Sequence, residues 1–195
     1  MEADITLLAA ARKMDGDALR GIFDLYAPAL YKYLFRLCNN AVTADQIVGD
    51  VFAKLLEHLS AGAGPRCNLR PYLFEIAYHL FVDEVRYSSR RAPIEAVDLI
   101  VSDRYSTPVS VENRMLFETV RRAIMNDLTQ DQKHVIILRF FEGFSIKETA
   151  LIIGKKVTNV KVIQNRAIAS LRKLLDYQIV ETGDIEVTIR RMANA

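Results

Sequence analysis

The residues in this chain best suited to chemistry are cations gathered on one short stretch. Between Ser145 and Leu174 the basic residues are Lys147, Lys155, Lys156, Lys161, Arg166, Arg172 and Lys173, and the one acid is Glu148. The whole chain holds 26 basic and 24 acidic residues, a net charge of +2, so positive charge is concentrated here. A local basic surface on a nearly neutral protein is the footprint expected of phosphate contacts.

Those cations need elements to hold them. Ser145 and Glu148 have capping-box spacing, which opens a short helix. Ala150 stands four residues before Gly154. A small residue there lets two helices cross closely, and glycine takes the positive φ of a helix end. Val157, Val160 and Ile163 follow at steps of three and give the next helix an apolar face. Together these form a helix-turn-helix, whose second helix normally lies in the DNA major groove. A capping box alone would better suit a solvated helical hairpin of an all-α protein; Ala150, Gly154, the apolar spacing and the lysines combined favour DNA binding.

At 195 residues the chain suits one ordinary domain or two small ones. An apolar fraction of 51% is ample for buried cores. No apolar run reaches the roughly 20 residues needed to span a bilayer. The N-terminus lacks a basic start and a clear cleavage site, so a secretion signal is not expected. Cys38 and Cys67 make neither a disulfide framework nor a CxxC metal site, and both are read as packed apolar side chains in a reducing cytosol. There is no nucleotide-binding glycine motif, and His58, His79 and His134 are not arranged as metal ligands or a triad. Neither a cofactor, a metal nor a catalytic residue is expected.

Helical spacing runs from Leu19 to Leu37, as one helix or a pair broken at Pro28. Thr43 and Gln46 suggest a second capping box, opening a helix that carries Ile47, Val48, Val51, Phe52, Leu55, Leu56 and Leu59. A Gly-rich loop, Ser60 to Asn68, follows, and Pro71 then suits the first turn of a long helix reaching about Ser88. From Ala92 to Ser110 the period disappears, with Pro93 and Pro108 in the stretch. Spacing resumes near Val111, through Met115, Leu116, Val120, Ile124 and Leu128. Thr129 and Gln132 give a third capping box ahead of Val135, Ile136, Leu138, Phe140 and Phe141. The tail alternates weakly at Ile185, Val187 and Ile189, which leaves strand, frayed helix and disorder open. The expected fold is all-α. Two small helical domains, residues 1–91 and 111–175, are joined by a flexible linker over 92–110 and followed by an extension over 176–195 of unknown role.

Two blocks carry a family resemblance. One is TADQIVGDVFAKLLEHL with the loop and RPYLFEIAYHLFVDEVRYSSRR after it; the other is LTQDQKHVIILRFFEGFSIKETALIIGKKVTNVKVIQNRAIASLRKLL. Their order, with a linker between, resembles a bacterial sigma factor of the sigma-70 family, in its short extracytoplasmic-function (ECF) class. The resemblance covers about Asp17 to Leu175.

It implies a dissociable subunit, not an enzyme, that binds core RNA polymerase, reads promoter DNA in the cytoplasm and is held by an anti-sigma factor. The helix of Asp45, Asp50, Phe52 and Leu55 would dock on the polymerase clamp. An amphipathic helix with acids on its exposed edge suits a basic partner. The loop from Ser60 to Asn68 would receive a base flipped from the −10 element, with Asn68 bonding the base edge. Tyr78, His79, Arg86, Arg90 and Arg91 would lie along the −10 DNA. Lys155, Lys156, Thr158, Asn159, Lys161, Gln164, Asn165 and Arg166 would read the −35 element, amides on adenine edges and cations on phosphates.

The chain departs from the family pattern in three places. Tyr78-His79 stands where Arg-Asn is usual, Tyr72 lies near a common Trp position, and Arg166-Ala167-Ile168 replaces Arg-Ala-Arg, losing one phosphate contact. Two other readings stay open: a stand-alone helix-turn-helix regulator with an N-terminal interaction domain, and an anti-sigma or adaptor protein mimicking one domain. The first leaves the N-terminal half unexplained. A DNA mimic would be acidic rather than basic.

Overall fold

Thr129 and Ser145 both cap helices with full capping boxes. Thr129 Oγ1 accepts from the Gln132 N–H at 3.4 Å, and Gln132 Oε1 accepts from the Thr129 N–H at 2.9 Å. Ser145 and Glu148 repeat the exchange at 3.2 and 2.7 Å. The third start differs. The helix begins at Ala41, and its cap is Asn40, whose Oδ1 accepts from the Thr43 N–H at 3.0 Å. Asparagine is the better cap, and Asn39 just before it takes the left-handed φ of 51° that turns the chain out of the preceding helix.

A computed structural model describes residues 2–88, 111–179, 187, 189 and 190, with side chains described for 5–88, 119–173, 187, 189 and 190. Arg90, Arg91, the linker over 92–110, Ile185 and the side chains of Met115 and Leu116 lie outside these. The described residues form α-helices without a strand, so the fold is all-α. They fall in two compact units, one within residues 1–100 and one within 101–195.

The first unit holds α1 (Glu2–Ala11), α2 (Gly16–Cys38), α3 (Ala41–Ser60) and α4 (Leu69–Ser88). Helix α1 is not foreseen by periodicity, because its apolar residues are too evenly spread to make a stripe. It buries Leu8 and Ala11. Helix α2 passes through Pro28 unbroken. Buried residues anchor it on both sides, Ile22 and Tyr26 before the proline, Leu30, Tyr33, Leu34 and Leu37 after it. Tyr33 and Phe74 meet at the centre, rings 5.2 Å apart and tilted by 51°.

The second unit holds α5 (Val111–Asp127), α6 (Gln130–Ile136), a π-helical turn (Ile137–Phe141), α7 (Ile146–Ile152) and α8 (Val157–Ile179). Its core joins Val120, Ala123, Ile124, Leu128, Ile136, Phe140, Ala167, Ile168 and Leu171 with Ile189 of the tail. Ile189 is fully buried, and the Arg190 guanidinium lies 5.6 Å from the centre of the Phe140 ring. The described tail residues, Val187, Ile189 and Arg190, are helical.

The two cysteines differ. Cys38 is half-buried; burial pushes its thiol up, and Sγ lies 3.2 Å from the Leu34 carbonyl oxygen. Cys67 is exposed rather than packed. A thiolate is the reactive form, so iodoacetamide at neutral pH is expected to alkylate Cys67 well before Cys38. Equal rates by peptide mass spectrometry would contradict this difference in burial.

Candidate nucleic-acid interface

Helix α7, a turn and α8 form the helix-turn-helix. Gly154 closes α7 with φ of 62°, a conformation open to glycine, and Lys155 N–H then bonds back to the Ala150 carbonyl at 2.9 Å. The apolar face of α8 differs from the expected one. Val160 is buried and Ile163 half-buried, but Val157 is exposed. Steps of three rotate about 60° off a helical face, whereas Val160, Ala167 and Leu171 follow the true period and are all buried.

That face fixes what is left outside. Lys156, Thr158, Asn159, Lys161, Asn165 and Arg166 are all exposed. Lys161 and Arg166 stand about 140° apart around the helix, one on each flank of its exposed side. A helix with cations on both flanks can meet phosphates on both walls of a groove. Lys155, half-buried, sits in the turn and pairs with Asp131 Oδ2 at 3.1 Å. Gln164 is half-buried and turned inward: its Oε1 accepts from Arg139 Nε at 3.0 Å. Arg139 Nη1 also donates to the Phe144 carbonyl, so one guanidinium on the π-helical turn ties α8 to the approach to α7. Ile168 is 4% exposed and lies in the core, so the position read as a lost phosphate contact is a packing position in this chain.

In the first unit α3 turns Ala44, Ile47, Val48, Val51, Leu55 and Leu59 inward. Leu55, 1% exposed, supports the surface from below and cannot itself touch a partner. Asp45 and Asp50 are exposed but lie on different flanks. Asp45 shares a stripe with Gly49, Phe52 and Leu56; Asp50 shares one with Glu57. Phe52 is half-buried against Phe23 of α2, rings 4.7 Å apart, while Phe23 and Leu56 are exposed. Sequence spacing counted Leu56 and Phe23 as core. Their exposure makes one flank of α3 an apolar ledge edged by Asp45.

The loop after α3 exposes Asn68, which has φ of 55°. At its foot His58 Nδ1 and Tyr72 Oη lie 2.5 Å apart. That contact gives Tyr72 a structural use at the foot of the loop. On α4 the Tyr78 ring is half-buried and the His79 ring exposed, 5.3 Å apart and edge to face. Arg86 is exposed, 3.5 Å from Asp83. Among the described residues no helix is long and apolar enough to cross a membrane.

The Sigma-70 region 2 family model matches residues 22–91, and the Sigma-70, region 4 model matches residues 124–173. The ECF RNA polymerase sigma factor SigX of Bacillus subtilis is 30% identical over 87% of this chain and 90% of its own length. The chain belongs to the ECF class of the sigma-70 family. EcfG of Rhodopseudomonas palustris is also 30% identical, over 89% of this chain and 94% of its own. BldN of Streptomyces coelicolor is 26% identical; this chain spans 64% of its length.

Among solved structures, sigma factor RpoE of Bartonella quintana, in a co-crystal with the anti-sigma factor NepR, superposes with a TM-score of 0.64 at 25% identity. It covers 82% of this chain and 97% of its own. CnrH, solved with the cytosolic domain of CnrY, shares the fold at the same TM-score, over 90% of this chain and 99% of its own.

In this ECF sigma factor α3, the loop and α4 fall inside region 2, and α6 through most of α8 inside region 4. Ile189, which belongs to the core of the second unit, lies beyond the matched span. The other contributor missed from sequence is Arg139, which acts through a contact distant in sequence, Gln164.

Proposed function

We propose that this ECF sigma factor binds core RNA polymerase through the exposed side of α3 and reads promoter DNA with both units. Asp45, Asp50 and Phe52 serve the polymerase contact, supported by the buried Leu55. Asn68, Tyr78, His79 and Arg86 serve the −10 element. Lys156, Thr158, Asn159, Lys161, Asn165 and Arg166 serve the −35 element directly, with Lys155 and Gln164 holding α8 in place. The observation that carries the reading is the exposed polar and basic face of α8, behind a capped helix-turn-helix and opposite a wholly apolar buried face. The protein supplies promoter choice and no chemistry of its own. It works beside the polymerase in the cytoplasm, and an anti-sigma factor is its expected regulator, by likeness to RpoE solved with NepR.

Run-off transcription with core polymerase on genomic fragments tests this reading; absence of any promoter-specific transcript would refute it. On a fragment so identified, Lys161→Ala/Arg166→Ala is expected to weaken binding. It should reduce the salt slope by about two units, roughly one per lost phosphate contact. An unchanged slope would remove both side chains from the interface.

A further inference from the structure

Arg12, just past α1, turns its guanidinium into the Gly-rich loop. Nη2 donates to the Gly62 carbonyl at 3.1 Å. Nη1 lies 3.4, 3.3 and 3.1 Å from the carbonyl oxygens of Ala63, Gly64 and Pro65. Four consecutive carbonyls thus converge on one cation. Their dipoles oppose one another unless positive charge sits at the focus, and a planar fork of five donors suits that task better than an ammonium. The loop also needs Gly62 and Gly64 at φ of 71° and 91°. Glycine takes these angles without strain but has many others open to it, so the surroundings must select this one. Its ends are fixed by the His58–Tyr72 contact, and Arg12 fixes its middle.

We propose that Arg12 is a positioning residue for −10 recognition. By gathering the carbonyls of residues 62–65, it holds the loop in a ready-made shape beside Asn68, where an unstacked base can settle without further ordering. This rests on the reading of the loop as the −10 base receiver. Arg12 itself touches neither base nor phosphate. Its contribution is preorganisation: an untethered loop would have to be ordered at the moment of binding, which weakens and blurs recognition.

The test uses holoenzyme made with the full chain. It captures single-stranded oligonucleotides randomised over the −10 positions, and separately duplexes randomised over the −35 positions, followed by sequencing. Wild type should enrich one base at a −10 position, and Asn68→Ala should flatten that preference. Arg12→Ala should flatten it by about tenfold. It should also speed amide exchange in the loop, with −35 enrichment and polymerase affinity unchanged. Arg12→Lys, which keeps the charge but not the fork, should recover only part. A lesion that merely unfolded the unit would lower polymerase affinity as well. If Asn68→Ala flattens the preference and Arg12→Ala does not, the loop reads DNA but Arg12 does not position it. Full recovery by Arg12→Lys would likewise overturn the carbonyl clamp in favour of simple charge. If Asn68→Ala changes nothing while Arg12→Ala loosens the loop, the base-receiving role itself is wrong.

Discussion

Ile168→Arg is expected to destabilise the second unit by about 3–5 kcal/mol, the usual penalty for an uncompensated charge in a packed interior. The substitution restores the arginine usual in the family. On an exposed site it would add a phosphate contact. Here the side chain is 4% exposed among Ile124, Leu171 and Ile189, and a guanidinium has no polar partner in that cluster. Ile168→Val should cost only about 1 kcal/mol, the loss of one methylene. The tail makes the prediction sharper. In an Ile189→Ala background the arginine gains a way out to water, so the two changes together should cost less than their sum. Hydrogen exchange on α8 in the full chain reads this unit separately from the other. An Ile168→Arg protein with wild-type protection and tighter −35 binding would return the position to the DNA face.

The second large effect concerns acid. His134 is 1% exposed, and burial lowers its pKa to about 4; Lys133 adds to the lowering while Asp131 partly opposes it. The folded state therefore keeps the imidazole neutral, whereas the unfolded chain protonates near its ordinary value of about 6.5. Between those values the unfolded state binds more protons, so stability rises with pH there. The contribution is complete above about pH 6.5 and is lost as pH falls toward 4. By pH 5 about 2 kcal/mol should be gone, before most carboxylates titrate. Denaturant unfolding of the second unit at pH 7.5, 6 and 5 should show the decline, and His134→Leu should flatten it. Equal stability at pH 7.5 and 5 would mean that the ring is protonated inside the fold.

Both effects sit in the half of the molecule that was most legible in the sequence. Capping boxes at Thr129 and Ser145 could be read because the bonding partners are three residues apart. The same holds for Gly154, whose need for a positive φ is a property of the turn itself. What could not be read depends on distance along the chain. Arg12 meets carbonyls about fifty residues away, Arg139 meets Gln164, and Ile189 shares a core with Val120 and Ile124. No periodicity encodes such meetings. Exposure was ambiguous for a different reason: Phe23, Leu56 and Val157 are apolar residues on the outside, and hydrophobicity alone assigns them inward. Asp45 and Asp50 were read as one edge because both are acidic, although a helix separates them onto two.

The burial of Ile189 also has a consequence for the order of synthesis. A ribosome delivers the chain from its N-terminus, and domains fold in that sequence. Among the described residues, the last buried side chain of the first unit is Phe81, well before the second begins. The second lacks one of its buried core side chains until Ile189 has emerged. A nascent chain stalled between Leu171 and Ile189 therefore carries a first unit with all of its described core and a second unit still short of one core side chain.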